Sequence, residues 1–151
     1  MGQYIYNALS RDIERELLPA CRRLGIAVYV YNATCGGFVA GDADSARFAS
    51  SVHSERYRAR YINEPFAQAV AMLKEAAARH ALDPYDVALR WLVHHSALRP
   101  GVDGVIIGCS SVSSLQKNVA SARAGPLPAD VVESLDRAAL ITKPNWPPYL
   151  R

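Results

Sequence analysis

Apolar residues recur along the chain in two rhythms. Three short runs, Gln3 to Tyr6, Ile26 to Tyr31 and Val105 to Ile107, are aromatic or β-branched and are bounded by glycine or asparagine. They read as strands, the second and third of them buried. Other stretches follow the helical period. From Glu64 to His80, Phe66, Val70, Leu73 and Ala77 fall on one helix face,. Asp83-Pro84 opens a further helix with a cap and a first-turn proline, Asp86 helps complete its N-terminus, and Ala88, Trp91, Leu92 and His95 share a face,. Ser10 is placed to cap a helix from about Arg11 to Leu24. Its acidic Asp12, Glu14 and Glu16 come early and Arg22 and Arg23 late, as the helix dipole favours,. Pro19 inside that span predicts a kink or two short pieces, and Gly25 ends it. Ser113 to about Ala122 and Asp130 to Leu140 are the last two helices, separated by Gly125-Pro126. Asn32 to about Arg60, with Gly36, Gly37 and Gly41, reads as one long loop, of a length that is usually functional or mobile,. The tail from Thr142 to Arg151 is expected to be irregular.

Strands alternating with helices argue for an α/β fold with parallel strands and right-handed crossovers. Three parallel strands leave two open edges, and parallel sheets are normally covered on both faces. The chain is therefore expected to be a single unit over residues 1–151 that is part of something larger. It is expected to fold poorly or to self-associate by itself.

Composition narrows the class. Half of the 151 residues are hydrophobic and 21% are charged, as in a globular domain,. No apolar run reaches the eighteen or so residues of a spanning helix, and no signal-peptide pattern is read at the start,. A net charge of +3 permits anion binding without demanding nucleic acid,. Cys21, Cys35 and Cys109 are far apart and lack a CxxC pair, so reduced thiols in the cytoplasm are the simplest reading,.

Three features could carry chemistry. The first is Tyr31-Asn32-Ala33-Thr34-Cys35-Gly36-Gly37-Phe38, directly after a strand. Its glycines let backbone N–H groups approach phosphate oxygens, and an aromatic at a strand end can stack on a planar ring. Alone, the segment is as well read as a flexible turn. The second is Gly108-Cys109-Ser110-Ser111 before a helix. That is an anion site in form, although the serines could simply cap the helix. Two such loops after successive parallel strands favour the ligand reading, because a (β/α)8 barrel binds phosphate after its last two strands. The third is Arg56-Tyr57-Arg58-Ala59-Arg60-Tyr61, fit for a carboxylate, for a nucleic-acid backbone, or for a solvated loop or helix start. With no second basic stripe, nucleic acid ranks low. His94 and His95 are adjacent and cannot share one metal ion from a helix. They are expected to end a helix, where positive charge is welcome. No metal site, acid/base constellation or nucleophile signature is found.

The ordered stretches Gln3-Tyr4-Ile5-Tyr6-Asn7-Ala8, Glu16 to Ile26, Val30-Tyr31-Asn32-Ala33 with Gly36-Gly37, Ala88-Leu89-Arg90-Trp91-Leu92, Ile107 to Ser111, Gln116-Lys117-Asn118, Gly125-Pro126-Leu127 and Tyr149-Leu150-Arg151 carry a likeness. The chain resembles the C-terminal half of the aldo-keto reductases, in the aflatoxin-aldehyde or succinic-semialdehyde reductase branch. The resemblance covers nearly the whole chain. It implies the C-terminal part of a (β/α)8 TIM barrel, strands six to eight with their helices, in which the barrel is incomplete. It implies NADPH as cofactor, with Gln3 on the nicotinamide carboxamide, Tyr31 stacked on the ring, and Asn32, Ala33, Thr34, Cys35, Gly36, Gly37 and Phe38 around the pyrophosphate. Gly108, Ser110, Ser111, Ser114 and Asn118 would hold the adenosine 2′-phosphate and adenine. Tyr57, Arg58, Arg60 and Arg151 look like the family's carboxylate-recognising substrate residues. No catalytic residue is implied here, since the family's Asp, Tyr, Lys and His come from the other half of the barrel.

The implied substrate is a small aldehyde or ketone that can carry a carboxylate. The implied partner is a second copy or a complementing N-terminal half, with no nucleic acid and no membrane. A non-catalytic NADP(H)-binding or regulatory fragment is the alternative. This chain departs from the family in having Ala33-Thr34-Cys35 in place of Pro-Leu-Ala. Gly41 is followed by Asp42 rather than Lys-Tyr, and Ser114 stands where relatives carry Gln or Arg.

Overall fold

The computed structural model describes residues 1–40 and 54–149. In chain order these form β1 (Gly2–Ile5), a 3-10 turn (Asp12–Glu14), α1 (Leu17–Arg23), β2 (Val28–Tyr31) and a second 3-10 turn (Cys35–Gly37). Then follow α2 (Ser54–Tyr61), α3 (Glu64–Arg79), α4 (Pro84–His94), β3 (Gly104–Val105), α5 (Val112–Arg123), α6 (Ala129–Thr142) and a last 3-10 turn (Lys143–Asn145). The strands form one parallel sheet in the order β1-β2-β3. Gln3 pairs in register with Tyr29, Ile5 with Tyr31, and Tyr29 with Gly104. The ladder runs one residue past β3, where the Ile106 N–H donates to Val30 O at 2.8 Å.

Strand alternation gives this sheet two unlike faces. Val28 and Val30 are fully buried in one continuous core with Leu18, Leu89, Trp91 and Leu135. The intervening residues look the other way. Gln3 is exposed, Tyr29 is 36% exposed and Ile106 41%. The Tyr29 ring lies across Gly104, where an added Cβ would stand 2.5 Å from it.

The helical layer is closely packed. Phe66, Ala69, Val70, Leu73, Ala76 and Ala77 of α3 are buried, as are Val131, Leu135, Ala138 and Ala139 of α6. Alanines on both surfaces let the two helices approach closely, and each larger apolar side chain buried there contributes roughly 1.5–3 kcal/mol,. Trp91 meets the edge of Tyr6 at 5.6 Å, and the Arg11 guanidinium sits 4.2 Å from the Trp91 ring.

At the amino ends of the strands, Asp103 acts as a clamp. Its carboxylate accepts from the Val28 N–H, the Arg99 N–H and the Arg99 guanidinium, all at 2.9 Å, while Arg99 also donates to Ile26 O at 2.8 Å. These bonds hold the Asp103 carboxyl down to about 2, chiefly through the Arg99 guanidinium.

Several local expectations change. The span from Arg11 to Leu24 is indeed two pieces, but the break falls before Leu17. Pro19 is the third residue of α1, where its missing N–H has no intrahelical acceptor to lose,. Ser10 caps nothing. Its backbone pairs with Asn7, and its buried hydroxyl has no partner. The predicted long loop ends early, because residues 54–61 are helical. That helix offers one apolar stripe, Tyr57 and Tyr61, too short to stand out beside three arginines. His94 and His95 do end α4, yet His95 does not welcome charge. Its Nε2 accepts the Leu127 N–H at 2.8 Å, and burial, with His94 and Arg90 nearby, lowers its pKa.

Candidate functional site

The carboxyl ends of β1 and β2 are tied by one polar network. Asn7, fully buried, donates from its Nδ2 to Asn32 O at 3.0 Å and accepts the Leu9 N–H on its Oδ1 at 3.0 Å. The Cys35 thiol donates to the same Oδ1 at 3.4 Å. Asn32 turns the chain out of β2 with φ 62, a left-handed conformation that asparagine tolerates better than most residues,. Its Oδ1 accepts from the Tyr57 hydroxyl at 3.1 Å, and its Nδ2 donates to the Tyr61 hydroxyl at 3.4 Å. Burial pushes the Tyr61 phenol and the Cys35 thiol well up, so both stay neutral. Gly36, at φ 71, lets the Tyr57 ring lie on the turn, where an added Cβ would come within 2.6 Å of it.

This turn forms one side of a cleft of about 230 Å³. Tyr31, Asn32, Ala33, Thr34 and Gly36 face Ile106, Ile107 and Gly108 of the next strand end, with Tyr57, Tyr85 and Asn118 closing it. Tyr85, Gly108 and Asn118 also line a second recess of about 480 Å³, which continues along α5 past Ser110, Ser114, Lys117 and Ser121 and is walled by Asp83 and Asp86 of the α4 end. The two recesses adjoin at Tyr85, Gly108 and Asn118, beside the carboxyl ends of β2 and β3, and are together called the groove below. Ser111 caps α5. Its Oγ accepts the Ser114 N–H at 3.1 Å and shares hydrogen bonds with the Ser113 and Ser114 hydroxyls. Asn118, 7% exposed, donates from its Nδ2 to Cys109 Sγ at 3.2 Å.

The groove's shape and chemistry suit a dinucleotide. A Cβ at Gly108 would meet no atom within 4 Å, so the backbone there borders open space, and Gly108 lines both recesses. A helix N-terminus and a row of hydroxyls stand at one end, and a tyrosine with a glycine turn stands at the other.

The sequence-predicted residues separate into three groups. Tyr31, Asn32, Ala33, Thr34, Gly36, Gly108, Ser110, Ser114, Asn118 and Tyr57 line the groove. Cys35 and Phe38 are buried beneath it, Gly37 lies beside the Tyr85 hydroxyl, and Ser111 serves as the cap. Gln3 stands apart on the bare sheet face, one pleat below Tyr31. Arg60 joins Arg56 and Trp146 in a separate recess, and Arg58 lines neither. Arg151 lies outside the described residues. Tyr85, Lys117 and Asp83 went unnoticed as site residues in the sequence. Lys117 could have been found, since it stands one turn after Ser114 on the same helix face, and Asp83-Pro84-Tyr85 marks a helix start that can reach the strand ends.

Comparison with known proteins gives the family. Residues 1–140 match the profile of the "Aldo/keto reductase family". An aldo-keto reductase of Pseudocercospora fijiensis is 36% identical over 97% of this chain and 53% of its own length. Aflatoxin B1 aldehyde reductase member 2 of Mus musculus is 36% identical over 99% of this chain and 44% of its own. Human aldo-keto reductase family 7 member A3 is 35% identical over 99% and 49%. The chain spans about half the length of the curated relatives it matches.

Proposed function

The chain belongs to the aldo/keto reductase family, and on that premise we propose that it is the C-terminal, cofactor- and substrate-binding half of an NADPH-dependent reductase that turns aldehydes or ketones into alcohols. The observation that carries this reading is the groove. Two loops follow adjacent parallel strands and line two recesses that share Tyr85, Gly108 and Asn118, an arrangement that supports a dinucleotide laid across both,. In this reading residues 1–151 are one partial domain, and β1, β2 and β3 are the sixth, seventh and eighth strands of a (β/α)8 barrel. The sheet face bearing Gln3, Tyr29, Tyr31 and Ile106 is the barrel interior, which explains why aromatic and apolar side chains stand uncovered there.

Bound at the groove, NADPH supplies the hydride. The protein's own residues bind and orient it. Gln3 engages the carboxamide and the Tyr31 ring supports the nicotinamide. The backbone from Asn32 to Phe38 cradles the pyrophosphate, with Cys35 and Phe38 beneath as packing. Gly108, Ser110, Ser114 and Asn118 hold the adenosine end, and Ser111 shapes it as the cap of α5. Tyr57, Arg58, Arg60 and Arg151 recognise a substrate carboxylate. The proton donor for the nascent alkoxide comes from the other half of the barrel, so this chain alone is inactive and works with a complementing N-terminal half in the cytoplasm. The names of the mouse and human relatives point to aldehydes as the substrate class.

The test is to join the chain to the N-terminal half of the mouse relative and follow NADPH consumption with succinic semialdehyde or a nitrobenzaldehyde. Turnover by the joined protein, and none by the chain alone, is expected. NADPH binding without turnover in the joined protein would mark a non-catalytic nucleotide-binding piece and overturn the reductase reading.

A further inference from the structure

We propose that Lys117 is the residue that sets this chain's preference between NADPH and NADH, with Asp83 opposing it from the other wall of the groove. The inference rests on the cofactor reading above and concerns how the adenosine end is read. Distinguishing the two nucleotides means recognising a 2′-phosphate, which carries about −1.5 to −2 charges near neutral pH, in place of a hydroxyl. Among the described residues lining the adenosine-side recess, Lys117 is the one cation. The serines there offer no charge. Ser111 is committed to capping α5, and the Ser114 hydroxyl is held by Ser111 at 2.8 Å, so neither offers a charge or a fully free hydroxyl. Lys117 lies three residues on from Ser114, and Ser121 four residues beyond that. All three line the recess from one face of α5,.

The opposing wall is acidic. Asp86 is neutralised by Arg90 at 3.2 Å, on the same helix. Among the described residues, no cation pairs with Asp83. Its Oδ1 accepts the Tyr85 N–H at 2.7 Å as the cap of α4, so its negative charge, offset in part by the helix N-terminus, stands at the wall of the groove,. One mobile ammonium, partly offset by one carboxylate, should give a modest and salt-sensitive preference for the phosphorylated nucleotide.

The experiment is a titration of the full 151-residue chain with NADPH and with NADH, followed by nucleotide fluorescence at low and high salt, with circular dichroism to confirm the fold of each variant. Lys117→Gln should weaken NADPH about tenfold, the value of one charge-assisted contact, and change NADH less than about twofold. Lys117→Arg should restore NADPH binding. Asp83→Asn keeps the capping oxygen and should tighten NADPH about two- to threefold while leaving NADH unchanged. The preference of the unaltered chain should shrink as salt rises. Equal losses for both nucleotides in Lys117→Gln, or no loss for either, would overturn the assignment while leaving the cofactor reading intact. Binding of neither nucleotide by the folded chain would overturn both.

Discussion

The two ends of the sheet are both held by buried polar networks, and they do different work. At the amino ends, Asp103 and Arg99 form a charged clamp that closes on backbone groups of the strands. The Asp103 side chain is only 1% exposed and that of Arg99 28%. At the carboxyl ends, Asn7, Asn32, Tyr57 and Tyr61 form a neutral network whose upper members, Asn32 and Tyr57, also line the groove. A charged pair suits the end that only has to stay shut. In the proposed reading, a neutral network suits the end whose turn would meet an anionic cofactor, because it fixes the backbone without adding charge of its own. In α/β barrels the same division recurs, with stability at the amino ends of the strands and chemistry at their carboxyl ends.

The largest expected effect breaks the amino end. Asp103→Ala leaves Arg99 without its carboxylate and the Val28 N–H without its acceptor, and should cost about 3 kcal/mol in chemical denaturation. Because the clamp is remote from the groove, the affinity of the folded fraction for NADPH should not change. Acid unfolding sharpens the point. The folded Asp103 carboxyl, at about 2, lies below its ordinary value. The stabilisation it provides is therefore complete above the ordinary carboxylate range and is lost as pH falls from about 4 to 2. About 2 kcal/mol should disappear across that window, and Asp103→Asn should flatten this part of the pH profile.

The carboxyl end should respond in the reverse sense. Gly36→Ala places a Cβ in a left-handed backbone and against the Tyr57 ring, at a stability cost of about 1–2 kcal/mol,. It should weaken NADPH by more than that cost implies, since the displaced turn lines the cleft; an unchanged dissociation constant would separate the turn from the ligand. The smallest effect belongs to the link between α4 and the α5–α6 turn. The lowered pKa of His95 means that the folded state favours the neutral ring, so its contribution is present above the ordinary histidine range and declines as pH falls through it,. His95→Gln should remove that slope in thermal melts between pH 7 and about 5.

Much of the fold was legible because the relevant signals are local. The period of Phe66, Val70, Leu73 and Ala77 predicts α3, and Asp83-Pro84 predicts the start of α4, where Asp83 indeed caps the Tyr85 N–H. The run from Ile26 to Tyr31 predicts a buried strand, whereas one face of β2 stands bare, because exposure depends on what else covers the sheet. α2 was hidden because its helical stripe is only two tyrosines long, and their anchor, Asn32, is 25 and 29 residues away. The two glycine- and serine-bearing loops were visible one at a time as weak signals. Their lying side by side depends on the parallel register of β2 and β3, and the shared wall on Tyr85 arriving from a third element.

The most direct test of the account is hydrogen–deuterium exchange of the chain with and without NADPH. The account predicts protection in residues 31–38 and 108–118, at the carboxyl ends of β2 and β3, and no change in 24–28 or 99–105 at the clamp. Protection centred on the clamp, or no protection anywhere at saturating NADPH, would contradict it.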